Sequence, residues 1–155
     1  MDDATFIRLC EAEMTGLYRM AVSILRRQQD AEDAVQQALL KGWTARQKAW
    51  RGSEKAWLMR IVINECRNVQ RYRMRVSPVE TLPETPSDVP DVGLRLAVDA
   101  LPETLRLPLL LKYMESMSEK DIAVALKLSI PAVKSRLLRA RRTLRKALNE
   151  EVDWP

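Results

Sequence analysis

Three sets of side chains in this sequence have types and spacings that could do chemistry, and in each case the chemistry is binding. Near the C-terminus, Lys134, Ser135, Leu138, Arg139 and Arg142 project from one side of a helical pattern whose other side is apolar. Long cations on a helix face can reach phosphates and guanine edges in a duplex major groove. In the first half, Trp57, Arg60, Asn64, Arg67 and Arg71 recur at steps of three or four, the spacing of one helix face. An indole can stack on an unpaired base, an amide can bond a base edge, and guanidiniums can hold the backbone. The other reading of that face puts Trp57 in the core and leaves Asn64 an ordinary surface residue. The third set is Glu32, Asp33, Gln36 and Gln37, an acidic and amide face opposite the apolar side of its own helix. Inside a basic region it suits a protein partner, or else it is a plain solvated face.

The residues of covalent chemistry are scarce. The chain has no histidine, and Cys10 and Cys66 are its two cysteines. Zinc sites and His-based catalysis are not expected, and neither is any cofactor, metal or small-molecule substrate. Cys66 is expected to be a small buried hydrophobe. With no CxxC or Cys/His cluster, the two cysteines fit a reducing cytoplasm. The acidic start, MDDATF, lacks a signal-peptide pattern, and no apolar run reaches membrane-helix length. A cytoplasmic location is the expectation.

The elements that must position these sets follow from composition and period. In 155 residues, 46% are hydrophobic, aromatics are 5% and glycines number 4. That is enough for a core and poor in what β-folds use, so an all-α fold is predicted. Basic residues exceed acidic ones by 26 to 21. Residues 41–75 hold ten basic and two acidic residues, and 134–146 hold seven basic and no acidic ones. Between them, 76–93 carries four acidic residues, no basic ones, and Pro78, Pro83, Pro86 and Pro90. Prolines so spaced prevent a long helix, and the stretch reads as a flexible linker between two small helical domains. The expected division is 1–75, linker 76–93, and 94–150.

A first helix is predicted over 3–27, with Phe6, Leu9, Cys10, Leu17, Met20, Ala21 and Ile24 as its apolar stripe. Asp30 is a candidate N-cap for a second helix, whose apolar face is Ala34, Val35, Ala38, Leu39 and Trp43. A break at 49–53 precedes a third helix over 54–73, with Leu58, Ile61, Val62 and Val69 inward. The C-terminal part predicts a short helix around Leu94 to Leu101, a helix from Glu103 to Tyr113, and another over 119–126. Ser118 followed by Asp121 resembles a capping box with the shorter acid. Ser129 then caps a last helix to Leu148, with Pro131 in its first turn. Val133, Leu137, Ala140, Leu144 and Leu148 should be buried, as should Ile122, Ala123 and Ala125. A short helix, a tight turn at Lys127-Leu128 and a longer basic helix make a helix-turn-helix.

In this order the motifs resemble a known family. DAEDAVQQALLKGW (30–43) resembles the polymerase-binding helix of extracytoplasmic-function sigma factors, of the sigma-70 family. WRGSEKAWLMRIVINECRN (50–68) is similar to their promoter-melting segment. LPETLRLPLLLKYMESMSEKDIAVALKLSIPAVKSRLLRARRTLRKAL (101–148) is similar to their C-terminal promoter-binding domain. The resemblance covers 18–148.

The resemblance implies a non-enzymatic specificity subunit of RNA polymerase with domains called regions 2 and 4. Asp30, Glu32, Asp33, Gln36 and Gln37 would meet the clamp helices of the beta-prime subunit, and the C-terminal domain would meet the beta flap. Trp57, Arg60, Asn64 and Arg67 would serve the −10 element, with Asn64 matching the base-reading amide. Lys134, Ser135, Leu138 and Arg139 would approach −35 bases, while Arg136, Arg141 and Arg142 would hold phosphates. An anti-sigma factor, in some relatives membrane-bound, is a further implied partner. The loop RGSEKA holds fewer aromatics than many relatives, and Pro131 stands where a small residue is common. Two other classes fit parts of the pattern. A stand-alone regulator would not need the acidic and amide face. A mimic that sequesters an anti-sigma factor would not need the basic recognition face.

Overall fold

A computed structural model describes residues 1–76 and 92–148. They form two compact units of seven α-helices and one 3-10 turn, with no strand among the described residues. Most of the predicted linker, 77–91, lies outside the described residues.

The first unit is a three-helix bundle of α1 (Asp3–Leu25), α2 (Gln28–Ala45) and α3 (Glu54–Val76), with the 3-10 turn Arg46–Lys48 after α2. Asp2 starts α1 by accepting a 2.7 Å hydrogen bond from the Thr5 amide, and hydrogen bonding to the Thr5 side chain, then to that amide, holds its carboxyl below the usual range. Arg26 ends it in the left-handed conformation, φ 64°, its amide bonded to the Val22 carbonyl. The corner to α2 is therefore tight, and α2 begins at Gln28. Asp30 sits inside the first turn of α2 and is not its N-cap, a correction to the sequence reading.

The core explains the packing. Phe6, Leu17, Met20, Ala21, Ile24 and Leu25 of α1 and Leu58, Met59, Val62, Ile63 and Cys66 of α3 are buried, and the two helices pack against each other. The buried side of α2 is mostly small: Ala31, Ala34, Ala38 and Gly42 beside Val35. Small residues let α2 lie close to the larger side chains of its neighbours. A Cβ at Gly42 would stand 3.2 Å from the Phe6 ring and 3.4 Å from Leu58 Cδ1. Gly42→Val is expected to overpack this contact and lower stability by about 2 kcal/mol, read as a shift in urea midpoint at constant slope.

The second unit holds α4 (Val92–Asp99), α5 (Glu103–Tyr113), α6 (Glu119–Leu126) and α7 (Ile130–Leu148). Leu101, Leu109, Ala140 and Leu144 pack with the half-buried Ala97, Val98, Leu105 and Tyr113. Ile122, Ala123, Ala125, Val133 and Leu137 are buried as predicted, and Leu148 is half-buried. Both serine caps form. Ser118 Oγ accepts from the Asp121 amide at 3.1 Å, and Ser129 Oγ from the Ala132 amide at 3.2 Å. Between them Lys127 turns the chain at φ 57°, and the Leu128 amide closes on the Ala123 carbonyl at 2.8 Å. Sequence spacing and structure agree on the helix-turn-helix.

Candidate nucleic-acid and protein-docking surfaces

On α2, Glu32, Asp33, Gln36 and Gln37 are all exposed, and Gln29 donates to Asp33 at 3.3 Å. Asp30 departs from the set. It is half-buried and ion-paired with Arg73 of α3. One turn after Gln36 and Gln37, Leu40 is 62% exposed on the same face. A large apolar group ringed by amides and an acid is the usual anatomy of an interface anchor. Sequence reasoning missed Leu40, although the step 33, 36, 40 was there to find it. Trp43 was expected inward and is 38% exposed. Its ring meets Phe6 edge-on at 5.7 Å and carries the Arg46 guanidinium at 3.8 Å. Gly42 takes the buried place at this end of α2, which turns Trp43 toward the rim.

On α3, the expected face divides. Trp57 is 6% exposed and packs edge-on against Phe6 at 6.4 Å. It belongs to the core and cannot stack on a base, which corrects its assignment to the −10 set. The physical reason lies in the neighbours. The start of α3 is covered by Phe6 from the first turns of α1. Seven residues on, at nearly the same helical angle, Asn64 is exposed, as are Arg67 and Arg71. Arg60 stands between, half-buried, with its guanidinium 5.4 Å from the ring of Trp50. Trp50 is the aromatic that sequence reasoning passed over. It sits in the loop before α3, half-buried and not enclosed. Gly52 allows that loop to turn, at φ 77°, and its amide donates to Glu54 at 3.0 Å. The assembled surface is an aromatic, a cation beside it, an exposed amide and a cationic helix end. A shallow concavity lined by Arg67, Asn68, Gln70, Arg71, Met74 and Arg75 continues it.

On α7, Lys134, Ser135, Leu138, Arg139 and Arg142 are exposed, with Leu138 at 42%. Lys134 lies 3.9 Å from Glu119, whose other oxygen is 3.6 Å from Lys112. Arg136 is half-buried. Arg141 is half-buried too, and donates to the Tyr113 hydroxyl at 3.1 Å. One of its donors thus braces α7 against α5.

Cys66 is buried, and partial burial pushes the half-buried Cys10 thiol up, away from the reactive thiolate. Among the described residues no cluster of His, Cys, Asp or Glu could hold a metal, and no helix is long and apolar enough to cross a membrane.

Residues 9–76 match the family model described as Sigma-70 region 2, and residues 92–144 match Sigma-70, region 4. The chain is 30% identical over 144 residues to the ECF RNA polymerase sigma factor SigE of Mycolicibacterium smegmatis, covering 83% of this chain but 56% of that protein. It is 30% identical to the RNA polymerase sigma-H factor of Pseudomonas aeruginosa, over 77% of this chain and 74% of that one. Among solved structures it is similar to the sigma factor RpoE bound to the anti-sigma factor NepR from Bartonella quintana. That match has a TM-score of 0.81 at 27% identity and covers 96% of this chain and 99% of the other. CnrH in complex with the cytosolic domain of CnrY is similar at a TM-score of 0.71 and 25% identity, over 97% of this chain and 92% of the other.

Proposed function

The chain belongs to the sigma-70 family as an extracytoplasmic-function sigma factor, and from that premise we propose that it binds core RNA polymerase and directs initiation at its own class of promoters. The observation that carries this reading is a juxtaposition within one three-helix unit. An exposed acidic, amide and apolar face on α2 shares the unit with the half-buried Trp50 and Arg60, at the loop before α3 and its start, and with the exposed Asn64 and Arg67 further along α3. A stand-alone helix-turn-helix regulator has no need of either.

The roles follow from the chemistry. Asp33, Gln36, Gln37 and Leu40 dock on the clamp helices of the polymerase, with Glu32 at the edge. Trp50, Arg60, Asn64 and Arg67 receive the −10 strand as it opens. Flipping a base costs a few kcal/mol, which stacking and amide hydrogen bonds offset. Lys134, Ser135, Leu138 and Arg139 face the −35 bases, while Arg142 and Arg136 hold phosphates. The division expected at 1–75 and 94–150 is best moved to the helix ends, with the first domain ending at Val76 and the second starting at Val92. The protein makes and breaks no covalent bond, and it works in the cytoplasm where the polymerase is. The solved structure of the similar sigma factor RpoE with the anti-sigma factor NepR supports control by a partner of that kind.

Each domain alone offers a small DNA interface, so the chain should select duplex weakly until polymerase joins it. The test is selection of promoter fragments from a random duplex pool, with and without core enzyme. Enrichment of two spaced elements only with core supports the proposal. Equal enrichment by the chain alone would make it a stand-alone regulator.

Base readout and phosphate holding are also separable. Arg139→Ala is expected to cost about 1–3 kcal/mol on the preferred −35 duplex and little on scrambled sequence. Arg142→Ala should weaken both equally and lower the salt slope by about one. Competition binding at several salt concentrations distinguishes them, and identical losses from the two substitutions would reject the division.

A further inference from the structure

The α1–α2 corner carries an arrangement that none of the three binding surfaces uses. Arg73 reaches it from the last turns of α3. Its Nη1 donates to the Leu25 carbonyl at 2.9 Å, and its Nη2 pairs with the Asp30 carboxylate. Leu25 is the last residue of α1, so its carbonyl is one of those a helix end leaves without an intrahelical partner. Asp30 lies in the first turn of α2. One guanidinium thus ties the end of one helix to the beginning of the next, from a third. The start of α2 has no side-chain cap. Its N-cap position is Arg27, whose side chain has no acceptor to offer the orphan amides. Helix ends without caps fray, and Glu32 and Asp33 stand in the first two turns of α2, with Gln36 just beyond them.

We propose that Arg73 is a positioning residue for the polymerase-docking helix, acting through Asp30 and the Leu25 carbonyl. Asp30 is then an anchor inside the domain and not a contact with polymerase. The planar fork matters, because the two acceptors lie on different helices and a single guanidinium bonds both. This inference rests on α2 being the docking helix. It adds that the cationic helix α3, on the DNA side, sets the geometry of the polymerase side.

Two measurements on the full chain test it. Titration with core polymerase should give Arg73→Gln a Kd about tenfold weaker than wild type, the scale of one charge-assisted hydrogen bond. Arg73→Lys keeps the charge but has no fork to bond both acceptors, so it should recover only part of that loss. Amide exchange on the free proteins should show faster exchange at residues 28–33 in the Gln variant, with Leu17 and Val62 unchanged. Wild-type affinity in Arg73→Gln would overturn the inference, and so would exchange that rises uniformly through the domain, which marks a merely structural role. If wild type itself fails to bind core, the docking reading fails and this one with it. The exchange data would then still show whether Arg73 braces the corner, so the two failures are told apart.

Discussion

Substituting arginine at both Asp33 and Gln36 is expected to weaken binding to core polymerase on the order of 100-fold while leaving the helical spectrum and thermal midpoint of the free protein unchanged. Both side chains are exposed on α2, so neither change removes a packing contact or a buried partner. The loss comes from putting cations where an acid and an amide stood. Like-charge or mismatched juxtaposition at an interface costs several kcal/mol, and 100-fold is about 3 kcal/mol. Leu40 provides an independent arm. At 62% exposed it contributes little to the fold, yet as an anchor its change to Asp should cost about 2 kcal/mol of binding. Retention on immobilised core enzyme at limiting concentration measures both. Undiminished retention of the double Arg variant would remove α2 from the docking surface.

Promoter opening is the second place where a large effect is expected. Asn64 is exposed and can both donate and accept, as a base edge requires. Trp50 lies in the loop before α3 with Arg60 beside its ring at 5.4 Å. Asn64→Ala and Trp50→Ala should each reduce open complex on duplex promoter about tenfold or more, since stacking alone is worth about 1–3 kcal/mol per base. On a template already unpaired across −10 the Trp50 and Asn64 defects should shrink without vanishing, because strand separation is supplied but base capture is not. Trp57→Ala should behave differently. It empties the core beside Phe6, and it should destabilise the free domain by about 3–5 kcal/mol before any promoter is met. Permanganate reactivity on the two templates, at matched holoenzyme, reads the first pair. Wild-type opening by Asn64→Ala on duplex promoter would falsify its role.

Where the sequence was legible, local rules and burial agreed. The helix-turn-helix was readable because caps, turn and stripe are all local: Ser118, Lys127, Ser129 and the 133, 137, 140, 144 series each have one physical reading. The acidic and amide face of α2 was readable for the same cause. Trp57 and Trp43 exchanged their expected environments because periodicity assigns an angle, not a neighbour. Residues 57 and 64 share an angle, but Phe6 covers one and leaves the other bare. That cover comes from about fifty residues away, and no local pattern encodes it. Trp50 lay in a predicted break, where periodicity assigns no face. Asp30 and Arg73 are 43 residues apart, and only the folded corner shows that the acid is already paired. Likewise Arg141 looks like any other cation on α7 until Tyr113 is seen beneath it.

The most direct test of the central claim is run-off transcription. Core RNA polymerase, the purified chain and upstream DNA fragments from the native host are combined, with core alone and chain alone as controls. The account predicts discrete transcripts that need both proteins, start at a fixed distance downstream of one shared pair of elements, and disappear with the Asp33 and Gln36 double substitution. No transcript above that of core alone on any fragment, from a chain that nonetheless binds duplex DNA unaided, would contradict it.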